Sequence, residues 1–302
     1  MKPLVNRLGY VSVETSDPER LAQDTANVVG AREVGRENGA ILMSANERHA
    51  EFIIHEGAES VVRSVGLEAV SPAAVSQIRK NVEAAGLRVL STTPSLAAID
   101  MSVTFATSEG HVFEVHTPMP NDRARRYAGP GVHPKCLDHV NFTAEDPTLF
   151  ADEMAKTCGF ILCERTSGYE LSWLRAGDGR HHTIAAAKET SGVHHISWEF
   201  HSFEAFKGLG DNLGLEGRRL IWGPGRHGAG DNLFLYYKDA AGFLIECIAE
   251  MEVILDTERE ARVCDPGEGL SNWRVLNQWG ALPPQEWIHH HNGIKAVEPC
   301  PA

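Results

Sequence analysis

The sequence predicts an α+β protein of two tandem domains, each made of two βαβββ modules whose strands form a curled mixed sheet around a pocket. Three observations carry this reading. Leu8–Pro18 and Leu137–Pro147 share one pattern, an alternating strand that runs into Asp-Pro, 129 positions apart. Arg63–Val70, followed by a helical stretch from Ala73 to Ala85, matches Ser191–Trp198, followed by Phe203 to Leu213, at an offset of 128. Gly110–Val115 matches Gly242–Cys247 at an offset of 132. Near-constant offsets over three segments mean a duplicated domain, and a repeat of this kind outranks any local assignment.

Within each repeat the opening strand alternates apolar and polar residues, the period of a half-buried strand. It ends at Asp17-Pro18 in the first repeat and Asp146-Pro147 in the second. An Asp cap followed by proline starts a helix, because the capping carboxylate accepts from free N–H groups that proline lacks in any case. The order strand, helix, strands then recurs within each half, giving four modules. The first domain spans residues 1–120 and the second 135–265. Between them lies the Pro/Gly-rich stretch Pro118 to Pro134. Residues 266–302 form an irregular tail rich in Trp and Pro (Trp273, Trp279, Pro283, Pro284, Trp287), which reads as a flap or packing arm.

A chain of 302 residues, 42% hydrophobic and 23% charged, buries a sizeable core and has the composition of an ordinary globular protein. Its formal charge of -13 argues against nucleic acid as a partner, which needs clustered cations to displace counterions. No apolar stretch near the start serves as a signal region, and none approaches the roughly 18 residues of a membrane span. A cytoplasmic protein with no membrane partner is expected. The six cysteines (Cys136, Cys158, Cys163, Cys247, Cys264, Cys300) contain no CxxC and read as reduced thiols.

The two halves differ in their chemistry. Aligned by the offsets, Tyr10, Leu67 and Glu114 of the first stand where the second has His139, His195 and Glu246. Two imidazoles and a carboxylate on three strands of one sheet are the donor set of a facial metal triad, which leaves coordination positions open. The first domain is thus expected to be metal-free. A lone histidine on an apolar strand is ordinarily a satisfied core residue. A carboxylate inside Phe243–Ile248 is different, since burying it unpaired costs several kcal/mol. Glu114 sits in a similar run without histidines, so a structural glutamate remains an open reading for either. Further histidines, His182 and His227, crowd the same half, whereas His289, His290 and His291 in the tail lack strand and carboxylate context.

The set formed by Leu137–His139, Arg180–Ala185, Val193–His195, His227, Tyr236 and Gly242–Glu246 resembles the type I extradiol ring-cleavage dioxygenases of the vicinal oxygen chelate superfamily. The resemblance extends over nearly the whole chain and is strongest to the 2,3-dihydroxybiphenyl 1,2-dioxygenase and catechol 2,3-dioxygenase branches. It implies the glyoxalase/bleomycin-resistance/dioxygenase-like fold and a homo-oligomer acting in aromatic catabolism. It further implies a non-haem Fe(II), with Mn(II) as the alternative, held by His139, His195 and Glu246, and a small catecholic substrate cleaved with O2. His182 would be the acid/base, with His227 and Tyr236 hydrogen-bonding the substrate. Trp173, Ile184, Phe234 and Asp231 are candidates for the pocket wall. The chain departs from the pattern in two places: only 13 residues separate His182 from His195, and Gly228–Gly230 precede Asp231. Both changes bear on the ring substituent. Two other readings compete, a glyoxalase-like isomerase or lyase using Zn(II), Ni(II) or Mn(II), and a metal-free small-molecule binding protein.

Overall fold

The computed structural model describes residues 2–122, 130–256 and 258–297. Cys300 and the 123–129 part of the expected interdomain stretch lie outside them. The five described cysteines are all unpaired. Among the described residues no helix is long and apolar enough to cross a membrane.

The first sheet takes eight strands: β1 (Val5–Thr15), β2 (Arg32–Glu37), β3 (Ala40–Ser44), β4 (Phe52–Glu56), β5 (Val61–Ala69), β6 (Arg88–Ser91), β7 (Ser102–Ala106) and β8 (Val112–His116). Helix α1 (Pro18–Val28) follows β1, and α2 (Pro72–Ala84) follows β5. The second half repeats the series as β9 (Cys136–Ala144), α3 (Pro147–Cys158), β10 (Ile161–Thr166), β11 (Leu171–Arg175), β12 (Ile184–Lys188), β13 (Gly192–Glu199), α4 (Glu204–Leu215), β14 (Trp222–Arg226), β15 (Leu233–Lys238) and β16 (Leu244–Ala249). A short β17 (Arg262–Cys264) is added to the edge beside β10.

The sheet orders make the duplication explicit. The first runs β2-β3-β4-β1-β5-β8-β7-β6. The second, without β17, runs β10-β11-β12-β9-β13-β16-β15-β14. Every strand has its counterpart, and each half divides into two βαβββ modules. The expected helix starts are present: Asp17 accepts from the Arg20 N–H at 3.0 Å, and Asp146 accepts from Thr148 and Leu149 at 2.9 and 3.1 Å. Caps of this kind contribute about 1 kcal/mol each.

One face of each sheet packs into a single apolar core shared by both halves. Trp198 on β13 meets Phe52 on β4 edge to face, with ring centroids 6.5 Å apart, so the two repeats interlock. The opposite, concave faces carry separate clusters. That of the second sheet gathers Trp173, Trp222, Phe234 and Tyr236 and is covered by the tail through Val275, Leu276 and Trp287. The tail folds as short helices α5 (Trp273–Leu276) and α6 (Gln285–Ile288), and acts as a packing arm over this face.

Candidate metal centre

Three neighbouring strands of the second sheet, β9, β13 and β16, each send one side chain to a common point. His139 arrives there through a bulge. In the β9–β13 ladder Val140 pairs with Ile196 and Leu137 with Trp198, so Asp138 and His139 together face Ser197. One extra residue re-aims the strand locally. It turns His139 to the concave side while Leu137 and Val140 both stay in the shared core. A second bulge falls between the pairs Val193–Phe142 and His195–Asn141, with His194 as the extra residue. Glu246 needs no bulge: it stands in regular register beside Ser197 on β13 and opposite Tyr236 on β15.

The Nε2 atoms of His139 and His195 lie 2.8 and 3.4 Å from Glu246 Oε2. That oxygen is buried and makes no hydrogen bond of proper geometry. A buried acceptor left unmade costs roughly 1–3 kcal/mol, and more when it is charged. Ligand atoms of the three residues lie within 4.8 Å of one another and all three side chains are buried. Two nitrogens and one carboxylate oxygen converging on a buried point suit a divalent cation with open positions, so the residues present fit a metal.

The two candidate imidazole ligands are held from behind. His139 donates from Nδ1 to Asp138 Oδ2 at 2.7 Å, and Asp138 Oδ1 pairs with Arg180 at 2.5 Å. His194 donates from Nε2 to the Trp287 carbonyl at 2.7 Å, which leaves its Nδ1 to accept from His195 Nδ1 at 2.6 Å. Each arrangement holds a proton on Nδ1 and turns Nε2 toward the common point, where a metal would bind it. His182 is supported in the same way: His181 Nε2 donates to Glu164 at 3.2 Å, and His181 Nδ1 faces His182 Nδ1 at 3.1 Å. A second group of potential ligands, Cys136, Asp138 and Glu199, is already met by cations of the chain, with Lys135 at 2.8 Å from Glu199 and Arg180 bridging Asp138 and Glu199.

Charge follows from burial and neighbours. Burial pushes His195 down to about 4 and His182 well below its ordinary value, so both imidazoles are neutral at pH 7. At His139 burial works in the same direction but is outweighed by Glu246 and Asp138, which raise it to about 9. Burial likewise opposes the charge on Glu246, yet His139 holds it well below the usual carboxylate range. Tyr236, buried against Glu246, is raised well above the usual phenol value.

A cavity of about 30 Å³ opens on the three ligands and is lined also by His182, His227, Tyr236 and Trp173. His227 Nε2 lies 3.0 Å from the Tyr236 hydroxyl, and that hydroxyl donates to Glu246 Oε1 at 2.6 Å. His227 Nδ1 donates to the Leu276 carbonyl. The structure thus brings His139, His182, His195, His227, Tyr236, Glu246 and Trp173 to one cavity. Three expected pocket residues are elsewhere. Ile184 pairs with Val140 on the convex side and lies in the shared core, because strand alternation turns it away. Phe234 is stacked behind His227 at 3.9 Å and supports that ring instead of lining the wall. Asp231 is exposed at a turn with φ of 54° and faces Gln278 and Arg226. The tail residues Val275, Leu276 and Trp287 close the cavity. Reading the strands alone did not find them; the adjacent pairs His181–His182 and His194–His195 were the visible signal for the supporting histidines.

The first sheet corrects one alignment. Strand register sets Ser12 opposite Ser64 where the second half has Asn141 opposite His195, so Ser64 and not Leu67 occupies the second ligand position. Leu67 lies in the shared core. In this half the Tyr10 hydroxyl donates to Glu114, which also accepts from the Ser95 N–H at 3.0 Å. Glu114 is satisfied without metal.

The fold is that of solved extradiol ring-cleaving dioxygenases, and the chain is similar in sequence to enzymes of this kind. Homoprotocatechuate 2,3-dioxygenase from Arthrobacter globiformis superposes with a TM-score of 0.87 at 18% identity, over 98% of this chain and 94% of that one. The enzyme of the same name from Brevibacterium fuscum gives 0.88 at 16% identity over 98% and 84%. In sequence, the manganese-dependent 2,3-dihydroxybiphenyl 1,2-dioxygenase of Geobacillus genomosp. 3 is 21% identical over 279 residues, 85% of this chain and 89% of its own. The metapyrocatechase of Geobacillus stearothermophilus is 24% identical over 273 residues, 82% of this chain and 81% of its own. No protein-family model matches the chain. The resemblance to extradiol dioxygenases drawn from the sequence is upheld.

Proposed function

We propose that this protein is an extradiol catechol dioxygenase that opens a catecholic ring beside the diol and inserts both atoms of O2, with Fe(II) as the metal and Mn(II) as the alternative. The observation that carries the reading is the convergence of two imidazole Nε2 atoms on the buried Glu246 Oε2, which makes no hydrogen bond of proper geometry. When bound, the metal supplies Lewis acidity toward a catechol hydroxyl and a meeting point for both reactants. His139, His195 and Glu246 hold it. Tyr236 and His227, 3.0 Å apart on one wall, hydrogen-bond a substrate oxygen. Neutral His182, whose ring centroid is 4.2 Å from that of His139, takes a proton from the substrate and returns it as the ring opens. Leu276 and Trp287 exclude water from the cavity.

The isomerase or lyase reading is not favoured, because the relatives are dioxygenases and the site carries His182, His227 and Tyr236 beyond its ligands. The metal-free binding reading is not favoured by a convergent His-His-Glu cluster. Manganese is supported by the name of one relative and iron by the donor set. Cytoplasmic residence is supported by the unpaired cysteines, and self-association by exposed Leu215, Val253 and Leu255.

The test is reconstitution with Fe(II) without air, then catechol, 3-methylcatechol or 2,3-dihydroxybiphenyl in air-saturated buffer. Stoichiometric oxygen uptake with a yellow product is expected. Silence with all three in protein shown to hold iron would turn the reading toward a different catechol first and the isomerases second, and failure to take up any metal toward a binding protein.

A further inference from the structure

Beside the small inner cavity lies a second chamber of about 440 Å³, and the two share Asn141, Leu171 and Trp287 in their walls. Strand β9 passes both. It carries His139, Asn141 and Thr143 at alternate positions, so all three face the concave side, with His139 on the inner cavity and Thr143 on the outer one. At about 3.3 Å per residue the distance from ligand to Thr143 is about 13 Å, longer than a bare catechol ring.

The charge inventory of this path is one-sided. None of the thirteen residues lining the inner cavity is Lys or Arg. The outer chamber presents three carboxylates, Glu170, Glu189 and Glu268, against Lys188. Glu189 faces His289 at 3.7 Å, and Glu170 accepts from the Thr166 hydroxyl at 2.6 Å. The rest of the wall is largely apolar, through Leu171, Ala187, Pro266, Leu270, Trp287 and Ile288. Two buried side-chain oxygens on β9, Asn141 Oδ1 and Thr143 Oγ1, have no hydrogen-bond partner. An amide oxygen in this position welcomes a donor and repels an anion. A carboxylate brought here would lose its water and meet three carboxylates against the single ammonium of Lys188, which is costly.

We propose that this chamber selects catechols carrying an extended, uncharged substituent and excludes carboxylated ones. The inference rests on the dioxygenase reading and deepens it by naming the substrate class. Asn141 and Thr143 take a hydroxyl or amide donor on the substituent, the apolar wall takes its stem, and the glutamates exclude its anionic analogue.

The experiment compares two ligands of nearly the same shape and different charge, 3,4-dihydroxyphenylacetate and its methyl ester, with 2,3-dihydroxybiphenyl as a neutral, longer third. Dissociation constants are measured on Fe(II)-loaded protein without air, by quenching of tryptophan fluorescence, and kcat/KM is then measured in air. The ester is expected to bind and turn over about tenfold or more better than the acid at pH 7.5, the scale on which an unpaired polar group is rejected. Ala187→Lys, at a half-exposed wall position, is expected to shrink that ratio several-fold by improving the acid. Equal affinity for acid and ester, or tighter binding of the acid, overturns the inference even if every catechol is cleaved. Conversely, binding that favours the ester in iron-loaded protein with no oxygen uptake leaves the charge selection standing and overturns the dioxygenase reading.

Discussion

The imidazole of His194 donates to the backbone carbonyl of Trp287 at 2.7 Å, joining the strand that carries His195 to the tail helix that covers it. His194 then accepts from His195, so the carbonyl of a tail residue fixes which nitrogen of His195 is bare. His194→Phe is expected to weaken metal binding by about 10–100-fold, the usual effect of losing a partner behind a ligand. Competition with a chromophoric chelator reads this directly, and an unchanged dissociation constant would remove His194 from that role.

Metal binding is expected to depend on pH through His139. Glu246 and Asp138 outweigh burial and raise it to about 9, so it carries a proton at pH 7 in the metal-free protein, whereas His195, lowered to about 4, does not. A cation must displace that one proton, so affinity rises about tenfold per pH unit up to about pH 9 and then levels. The sign for stability is the reverse. A folded value above the unfolded one stabilises fully below about pH 6.5, and this is lost as pH rises through about 9. Metal-free protein should therefore show a falling Tm between pH 7 and 9.5. Calorimetry in two buffers of different ionisation enthalpy counts the proton, and a count of zero at pH 7 would refute the assignment.

Ligand and acid/base roles separate cleanly by metal content. His195→Ala or Glu246→Ala is expected to remove metal and turnover together. His182→Ala should retain metal and lose about 10²–10⁴-fold in kcat, the range for a removed acid/base group. Metal analysis beside oxygen uptake distinguishes them, and wild-type turnover in the His182 variant would exclude that residue from the reaction.

The first domain should answer in stability alone. Glu114 is buried and accepts from Tyr10 and Ser95, so Glu114→Gln replaces one accepting oxygen with a donor and leaves the Tyr10 hydroxyl or the Ser95 N–H without its acceptor, at a cost of about 1–3 kcal/mol. Denaturant unfolding should show that loss, with metal content unchanged. Depleted metal would place the centre in the wrong half.

The duplicated fold was legible because the repeats preserve turn chemistry as well as strands: Asp17-Pro18 and Asp146-Pro147 survive as paired helix caps. The convergence of His139, His195 and Glu246 was legible because Glu246 is a carboxylate in an apolar run whose repeat-mates in the same half are histidines. What escaped was set by registers that period counting does not reveal. Sequence alignment placed Leu67 opposite His195, but the β1–β5 ladder carries three register shifts and the β9–β13 ladder two, and register assigns the place to Ser64. Ile184 was misread for a related reason: it is two residues from His182, yet lies on a strand whose alternation sends it to the core. The closure of the cavity by Leu276 and Trp287 depends on long-range packing of an irregular tail, which carries no periodic signal.

The strand orders of the two sheets also have a meaning for protein engineering. Each half presents the same three places on a concave face, and in the first half they hold Tyr10, Ser64 and Glu114. The chain carries a spare socket, plugged by a hydrogen bond from Tyr10 where its twin has an imidazole. Two exchanges, Tyr10→His and Ser64→His, would reproduce the donor set beside a glutamate already in position. A protein that keeps a stoppered copy of its own reaction centre offers a built-in control: the same backbone, in the same solution, with the chemistry left out.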